Sequence, residues 1–145
     1  MTIREMNEHD LEKCVEIFIS SYNTIPWNYK WSYNKAFLYL KEYYDVKRFI
    51  GFVAIEDGKI ISALFGHLKT WWTYDQLYID EVFVSNDFKG KGVGKKIIQH
   101  CESFCLENEI NIITLMTNEV MPAFKFHSNN QYIKVNQYVF MFKQL

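Results

Sequence analysis

The spacing of apolar residues predicts two amphipathic helices in the first part of the chain. Residues that recur every three or four positions lie on one face of a helix. These residues are Leu11, Cys14, Val15, Phe18, Ile19 and Tyr22 in the first helix, and Ala36, Phe37, Leu40 and Tyr44 in the second. Asn7 followed by Asp10 has the spacing of a capping box, and Ser32 is a candidate N-cap for the second helix. The segment from Ile25 to Asn28, which contains Pro26, is expected to end the first helix.

β-Branched and aromatic residues predict several strands. Phe49–Glu56 and Lys59–Lys69 form a predicted hairpin, because Asp57 and Gly58 between them tolerate the positive φ of a tight turn. Further strands are expected over residues 2–6, 76–85, 111–117, 132–135 and 138–142.

Two more helices are predicted in the second half of the chain. The first spans residues 92–108, where Val93, Ile97, Cys101 and Cys105 share one face. Pro122 stands where a short helix begins. Strands alternating with helices indicate a mixed α/β fold, in which a central sheet is flanked by helices and residues 1–145 form a single domain.

Composition and charge narrow the class of partner. The 145 residues carry a formal net charge of −1, which gives no field that would attract a polyanion, so nucleic acid is not an expected partner. No apolar stretch approaches the ~18–20 residues that span a bilayer, and the first residues lack the apolar centre of a signal peptide. We therefore expect a cytoplasmic protein without a membrane partner.

The three cysteines are expected to be reduced thiols in the core. Cys101 and Cys105 lie one helical turn apart, and an odd number of cysteines is unlike a disulfide framework. They lack the further ligands of a zinc site, so no metal is expected.

A glycine-rich stretch lies between a predicted strand and a predicted helix. Gly90, Gly92 and Gly94 alternate there, so backbone N–H groups can approach a ligand without obstruction by Cβ atoms. The start of a helix adds unpaired donors and a partial positive charge. The surrounding cations are Lys89, Lys91, Lys95 and Lys96. The spacing fits neither the mononucleotide P-loop nor the Rossmann fingerprint, but the arrangement predicts a pyrophosphate site.

The segment Lys89-Gly90-Lys91-Gly92-Val93-Gly94 resembles the Arg/Gln-x-x-Gly-x-Gly/Ala motif of the GNAT superfamily of N-acetyltransferases. The strand over residues 79–84 and the helix after the motif extend the resemblance. The stretch from Asn118 to Tyr132 is similar to the Asn-x-x-x-x-Ala-x-x-Phe-Tyr-x-x-x-Gly-Phe segment of that family. The resemblance therefore covers the whole chain.

This resemblance implies an acetyl-CoA-dependent N-acetyltransferase that passes acetyl directly to a primary amine. The acceptor would be a small molecule, such as an aminoglycoside or a polyamine, or a peptide. The resemblance also implies that the loop holds the coenzyme A pyrophosphate and that the backbone of Val82 and Val84 pairs with pantetheine. The residues that it assigns to coenzyme binding are Val82, Phe83, Val84, Lys89, Gly90, Lys91, Gly92, Val93, Gly94, Lys95 and Asn118. A non-catalytic sensor that binds acyl-CoA is the alternative.

Three departures from the family pattern involve four residues. Lys89 replaces Arg or Gln, which keeps a cation but loses planar bidentate contact with phosphate. His127 stands where the family often has the tyrosine proposed to protonate the departing thiolate, so His127 is a candidate acid, with a packed ring as the alternative. Gln131 and Tyr132 replace the usual Gly-Phe pair.

Asp80 and Glu81 are the candidate bases. An alkyl amine with a pKa near ~10.4 must lose a proton before it attacks, which costs about 4–5 kcal/mol at pH 7. On a regular strand Asp80 shares a face with Val82 and Val84, whereas Glu81 points away, and this favours Asp80. A bulge would reverse that argument, and Glu81 or a water relay stays open as the alternative.

Aromatic residues, which make up 18% of the chain, indicate where an acceptor could bind. Aromatic rings can surround a cation or stack on a flat substrate. The candidate substrate-binding residues are Tyr22, Trp27, Trp31, Trp71 and Trp72. Core packing or the surface of a homodimer is the alternative explanation for these rings.

Overall fold

Five strands and four helices form the chain, which the computed structural model describes over residues 1–145. The strands are β1 (Thr2–Glu5), β2 (Phe49–Glu56), β3 (Lys59–Lys69), β4 (Gln76–Val84) and β5 (Ile113–Leu115). The helices are α1 (Leu11–Tyr22), α2 (Tyr33–Tyr44), α3 (Val93–Glu107) and α4 (Pro122–Asn129). Short 3-10 helices, Glu8–Asp10 and Asn86–Phe88, precede α1 and follow β4.

The strands lie side by side in the order in which they follow along the chain. β1 to β4 are antiparallel, and β5 returns parallel to β4 after α3. The predicted β2–β3 hairpin forms with positive φ at Asp57 and Gly58, 48° and 72°. This mixed sheet, flanked by helices, confirms the predicted fold class.

Two apolar layers hold the helices on the sheet. α1 and α2 cover one face, where Phe18 and Leu40 pack with Phe65 and Phe83. α3 covers the other face, and its buried side chains are Val93, Ile97, Ile98, Cys101 and Cys105. Full burial of a Leu or Phe side chain is worth about 1.5–3 kcal/mol, so these layers are the main source of stability.

The start of α1 is fixed by a buried carboxylate. Asp10 accepts two hydrogen bonds from the Arg4 guanidinium, at 2.7 and 2.8 Å, and a third from the Asn7 N–H at 2.8 Å. The predicted capping box is present, because the Asn7 side chain accepts from the 3-10 turn in return. Burial alone would raise the pKa of Asp10, but the hydrogen bonds from Arg4 and Asn7 outweigh it and lower that pKa.

Asp10→Ala is expected to lower the free energy of unfolding by about 1–3 kcal/mol at pH 7, because it leaves the Arg4 and Asn7 donors without their acceptor. A carboxylate whose folded pKa is depressed stabilises the fold above its unfolded pKa of ~3.9, and this contribution is lost as pH falls through the folded value. The difference in the free energy of unfolding between the wild type and Asp10→Ala should therefore shrink below about pH 4. Urea unfolding at several pH values measures it, with Asp45→Ala, at an exposed position, as the control. An equal loss at every pH would assign the effect to packing rather than charge.

One predicted boundary is confirmed and one is wrong. α1 ends at Tyr22, the last residue of its predicted apolar face and just before Ile25 and Pro26, and the Asn23 side chain, which bonds the backbone of Trp31 in both directions at 2.9 Å, holds the following segment as a loop. β5 has three residues instead of the seven predicted, because β4 is its only partner and pairs with it over residues 77–79 alone.

The predicted C-terminal strands over residues 132–135 and 138–142 do not form. No strand of the sheet pairs with these residues, and a strand is stable only when a neighbour satisfies its backbone groups. The apolar side chains from Tyr138 to Phe142 are exposed.

Further sequence-based expectations concern the cysteines and the helices. Cys14, Cys101 and Cys105 are buried and free, as predicted. None of the helices combines the length and the apolar composition required to cross a bilayer. No three side chains of the metal-binding types gather into one group.

Candidate active site

A β-bulge in β4 shapes the centre of the sheet. Phe65 lies opposite Glu81 and Gly66 lies opposite Ile79, so Asp80 is an extra residue with no partner on β3. Gly66 permits this irregularity, because a Cβ there would lie 2.8 Å from the carbonyl oxygen of Tyr78. The strand is therefore bent at the position that carries the two candidate bases.

The bulge places both carboxylates on the sheet face covered by α1 and α2. Ile79 before the bulge and Val82 and Val84 after it pack on the α3 side. Glu81 points away from these valines, as predicted, but Asp80 points away as well. The prediction that Asp80 shares their face is wrong, because the extra residue breaks the alternation on which it was based.

Glu81 is held by two tyrosines from different helices. The hydroxyl of Tyr22 on α1 donates to Oε2 at 2.7 Å, and that of Tyr39 on α2 donates to Oε1 at 2.6 Å. Burial raises the pKa of Glu81, and the two phenol donors oppose that rise, whereas the charge of Asp80 adds to it. Burial and the carboxylate also raise the pKa of each phenol, so both stay protonated donors.

Asp80 forms a pair with His67 of β3. Its Oδ2 lies 2.6 Å from Nδ1 of His67, and the two side chains are 5% and 20% exposed. Burial raises the pKa of Asp80, although the His67 contact acts in the opposite direction. Oδ1 of Asp80 has no hydrogen-bond partner in the protein. The result is a partly desolvated carboxylate with one oxygen oriented by a histidine and the other free.

Sequence reasoning missed His67, Tyr39 and Tyr43. His67 opposes Tyr78 in the β3–β4 register, and only the bulge brings it to Asp80. Tyr43 of α2 donates to the Tyr39 hydroxyl at 3.3 Å. One signal was available, because a glycine inside a strand, here Gly66, often marks a bulge.

The predicted substrate-binding aromatics fall into two groups. Tyr22, Trp27 and Trp31 join one cluster around Phe18, with ring centroids 4.6 Å apart for Phe18–Tyr22, 5.3 Å for Phe18–Trp31 and 5.4 Å for Tyr22–Trp27. The remaining two, Trp71 and Trp72, are exposed in the loop between β3 and β4 and have no part in this cluster. The first group lies directly beside Glu81, because Tyr22 bonds it.

The glycine loop after β4 exposes a row of donors. Gly90 and Gly92 have φ values of 73° and 79°, and a Cβ at either position would meet no atom within 4 Å. Gly92 caps α3 without a side-chain bond, and the first backbone donor to close the helix is Lys96, to Gly92 at 3.1 Å. The backbone N–H groups from Gly92 to Lys95 are consequently free for an anion.

The lysines around this loop differ in environment. Burial lowers the pKa of Lys89. Lys91 lies over the Phe88 ring, 5.3 Å from its centroid.

Gly94 has a different function from the other two glycines. It lies inside α3, and a Cβ there would be 3.2 Å from the Phe126 ring of α4 and 3.5 Å from Val84. Its missing side chain therefore lets α4 and β4 pack against the start of α3.

The backbone of β4 beyond the bulge has an open edge. β5 pairs only as far as Ile79, and Ser85 donates to Ile61 of β3 at 2.8 Å. Because alternate residues of a strand present their backbone groups to opposite edges, Val82 and Val84 present theirs to the side that β5 leaves free. The Val84 carbonyl also accepts a hydrogen bond from the Ser21 hydroxyl at 2.8 Å.

His127 and Asn118 lie after β5. His127 on α4 is buried, its Nδ1 has no partner, and burial lowers its pKa. Its ring packs against Phe126 and Tyr132, with centroids 5.1 and 5.5 Å away. Asn118 is exposed, and its side chain accepts from the Val120 N–H at 3.1 Å.

Several solved structures share the fold of this chain. A transcriptional regulator from Bacillus halodurans C-125 is 21% identical, with a TM-score of 0.79 over 98% of this chain and 99% of that one. A possible acetyltransferase from Clostridium difficile 630 is 15% identical, with a TM-score of 0.81 over 99% and 97%. An aminoglycoside acetyltransferase from an uncultured soil metagenomic sample is 20% identical, with a TM-score of 0.76 over 99% and 95%. At these identities the likeness is one of fold.

The sequence itself indicates the family. None of the curated proteins compared with this sequence matches it. The sequence profile described as "Acetyltransferase (GNAT) family" matches residues 11–129, most of the chain, including the bulge, the glycine loop and α4. The chain therefore belongs to the GNAT family of acetyltransferases.

Proposed function

We propose that this protein is an acetyl-CoA-dependent N-acetyltransferase that acts on a primary amine of a small cationic molecule. The observation that carries the proposal is the arrangement along β4. Two adjacent carboxylates, Asp80 and Glu81, lie at its bulge, and the same strand leads directly into the loop with free N–H groups. The proposed cation site at residue 80 and the end of the strand at residue 84, which leads into the loop, therefore lie about 13 Å apart, at ~3.3 Å per residue.

The glycine loop fits the pyrophosphate of coenzyme A. Open space at Gly90 and Gly92 admits the phosphates, and the N–H groups of the first turn of α3 are free to bond them. The backbone of Val82 and the N–H of Val84 are available to hold the pantetheine arm, while the Val84 carbonyl already accepts from Ser21. Phe83, in contrast, faces the α1 and α2 side and packs on Phe18, 5.4 Å between centroids. Acetyl-CoA, when bound, supplies the activated thioester.

Asp80 is the proposed proton acceptor for the amine. Its Oδ1 is free, whereas both oxygens of Glu81 already accept phenol O–H groups. The raised pKa of Asp80 brings its basicity closer to neutral pH than that of an ordinary aspartate, which favours general-base catalysis. His67 orients Oδ2, so it is the proposed positioning residue.

The charge and the aromatic rings support a cationic acceptor. Glu81 supplies a second negative charge beside Asp80, and Tyr22, Trp27 and Trp31 supply aromatic faces that attract cations. An aminoglycoside or a polyamine carries several ammonium groups, so the negative charge of Glu81 can attract one of them while another gives up its proton at Asp80. One solved structure of similar fold is an aminoglycoside acetyltransferase in complex with sisomicin, which agrees with this choice.

His127→Phe is expected to lower turnover more at pH 6 than at pH 8. If His127 holds the proton that the departing thiolate takes up, it does so as the charged imidazolium. Burial lowers the pKa of His127, so that form is depleted as pH rises through a value below the usual ~6.5. The reduction in turnover caused by His127→Phe should approach about tenfold at the acid end of the pH profile and should fade toward neutral pH.

The measurement is turnover against pH at saturating coenzyme, for the wild type, His127→Phe and His127→Tyr. His127→Tyr should extend the activity to higher pH, because a phenol keeps its proton past pH ~9. His9→Phe, at an exposed position, is the control. Profiles that superimpose for all four proteins would make His127 a packing residue.

The test of the proposed function is thiol release from acetyl-CoA with a panel of polyamines, aminoglycosides, amino acids and peptides with free N-termini. Turnover with polycationic amines and weak turnover with neutral amino acids is the expected pattern. Peptides as the best acceptors would change the substrate class. Coenzyme binding without turnover on any member of the panel would favour the sensor.

A further inference from the structure

Tyrosines of α1 and α2 form a chain of hydrogen bonds that ends on Glu81. The hydroxyl of Tyr43 lies 3.3 Å from that of Tyr39, which in turn donates to Oε1 of Glu81 at 2.6 Å. The hydroxyl of Tyr22 donates to Oε2 at 2.7 Å. An ionised carboxylate can accept hydrogen bonds but cannot donate them. The protons of Tyr22 and Tyr39 are therefore both directed at Glu81.

This chain of hydrogen bonds can run in one direction only. A phenol has a single proton to donate, and the proton of Tyr39 is already directed at Glu81. In the contact with Tyr43 the Tyr39 oxygen must therefore accept, and Tyr43 must donate. The Tyr43 oxygen keeps its lone pairs but has no proton for any other group. Tyr43 is thus a fixed hydrogen-bond acceptor, whereas a phenol without such a partner can turn to donate or to accept.

The Tyr43 hydroxyl lies on the side of α2 that faces the carboxylates. Tyr43 follows Tyr39 by one helical turn, and the centroids of the two rings are 4.9 Å apart. Burial raises the pKa of Tyr43, the bond with Tyr39 opposes this rise, and the charges of Glu81 and Asp80 add to it. Charges act on a neighbouring group most strongly at short range. The Tyr43 oxygen is therefore close to Asp80, and because Tyr43 is only half-buried, a ligand can reach it.

Two hydrogen-bond acceptors consequently remain free in this part of the site. Oδ1 of Asp80 has no partner in the protein, and Oη of Tyr43 has no proton left to donate. A nitrogen with at least two N–H groups can satisfy both acceptors at once, as a primary ammonium with three N–H groups does. A nitrogen with a single N–H leaves one acceptor unpaired, which costs affinity. The number of N–H groups on the substrate nitrogen should therefore control its binding.

We propose that Tyr43 is a specificity-determining residue, whose Oη accepts one N–H of the substrate ammonium while Oδ1 of Asp80 accepts another. This inference rests on the proposed function, in which Asp80 takes the proton of the amine. Tyr43 holds the nitrogen through an N–H that the transfer to Asp80 does not remove, so the nitrogen stays in place after it becomes neutral. The site is accordingly selective for primary and secondary ammonium groups over tertiary ones.

The test compares three diamines that differ in the number of N–H groups on each nitrogen. 1,4-Diaminobutane, its N,N′-dimethyl derivative and its N,N,N′,N′-tetramethyl derivative carry three, two and one N–H on each ammonium group. Titration calorimetry into the protein saturated with coenzyme A measures their binding without turnover. The first two should bind with similar affinity, and the third at least about tenfold more weakly, which is the effect of one hydrogen bond with a charged donor. Equal binding of all three would overturn the role of Tyr43 and leave the proposed function standing. Binding of none would contradict the cationic acceptor itself, and this proposal with it.

Tyr43→Phe should abolish the difference in affinity between the dimethyl and the tetramethyl diamine. This substitution removes only the hydroxyl, so the second acceptor is lost while the ring still packs on Tyr39. Tyr44→Phe, at the next position of α2, is the matched control, because the Tyr44 ring packs on Phe49 with centroids 4.9 Å apart. This control should keep the tenfold difference. If Tyr43→Phe weakens all three diamines equally and keeps that difference, Tyr43 has only a structural role and the proposal is wrong.

Discussion

Gly92→Val is expected to reduce the affinity for coenzyme A at least about 100-fold, from a micromolar-scale dissociation constant to the limit of detection. Gly92 caps α3, next to the free N–H groups, and a Cβ added there would extend into open space, with no atom within 4 Å. A valine side chain would fill the space where the phosphates are expected to lie. It would also strain a φ of 79°, which only glycine adopts at low cost.

Gly58→Val separates these two effects. Gly58, in the β2–β3 turn, has a φ of 72° and also has no atom within 4 Å of an added Cβ. It therefore carries the same backbone strain but lies away from the glycine loop. Titration calorimetry of coenzyme A into both folded variants should show binding to Gly58→Val only, and weaker wild-type binding at high salt. Unchanged binding to Gly92→Val would move the phosphate site elsewhere.

Asp80→Asn is expected to lower turnover at least about tenfold at pH 7 while coenzyme affinity stays near the wild-type value. The amide keeps the shape of the carboxylate and can still bond His67, but it cannot accept the proton of the amine. The rate should recover as pH rises, because more of the amine is then already neutral. Asp45→Asn, an exposed surface substitution, is the control.

Stability measurements test whether Asp80→Asn is less active because it lacks the proton acceptor or because its fold is disturbed. Burial raises the pKa of Asp80, so its folded-state value lies above the unfolded one. Such a group stabilises the fold below its unfolded pKa, and this contribution is lost as pH rises through the folded pKa. The ionised Asp80 is therefore a cost at pH 7, and we expect Asp80→Asn to leave the thermal midpoint there unchanged or higher.

His67→Phe gives a second test of Asp80 as the proton acceptor. The His67 contact opposes the rise in the pKa of Asp80, so His67→Phe should move the acid limb of the pH profile to higher pH. Full activity of Asp80→Asn at pH 7 would assign the proton to Glu81 or to solvent instead.

The site was only partly predictable from the sequence. The glycine loop, the strand before it and the two carboxylates are contiguous in the chain, so a local motif and its resemblance to the GNAT family were enough to single them out. His67 is 13 positions from Asp80, and Tyr39 reaches Glu81 across 42 positions. Pairings at such separations depend on strand register and helix packing, which no local pattern encodes.

The sequence by itself determined the features that depend on near neighbours. Helical periodicity placed α1 to α4 to within a few residues, Asp57 and Gly58 placed the hairpin, and Asn7 with Asp10 placed the first cap. The tertiary structure decided which way Asp80 faces, because this extra residue in β4 breaks the alternation. It also decided that residues 138–142 form no strand, since strand formation requires a hydrogen-bonded neighbour as well as a suitable sequence.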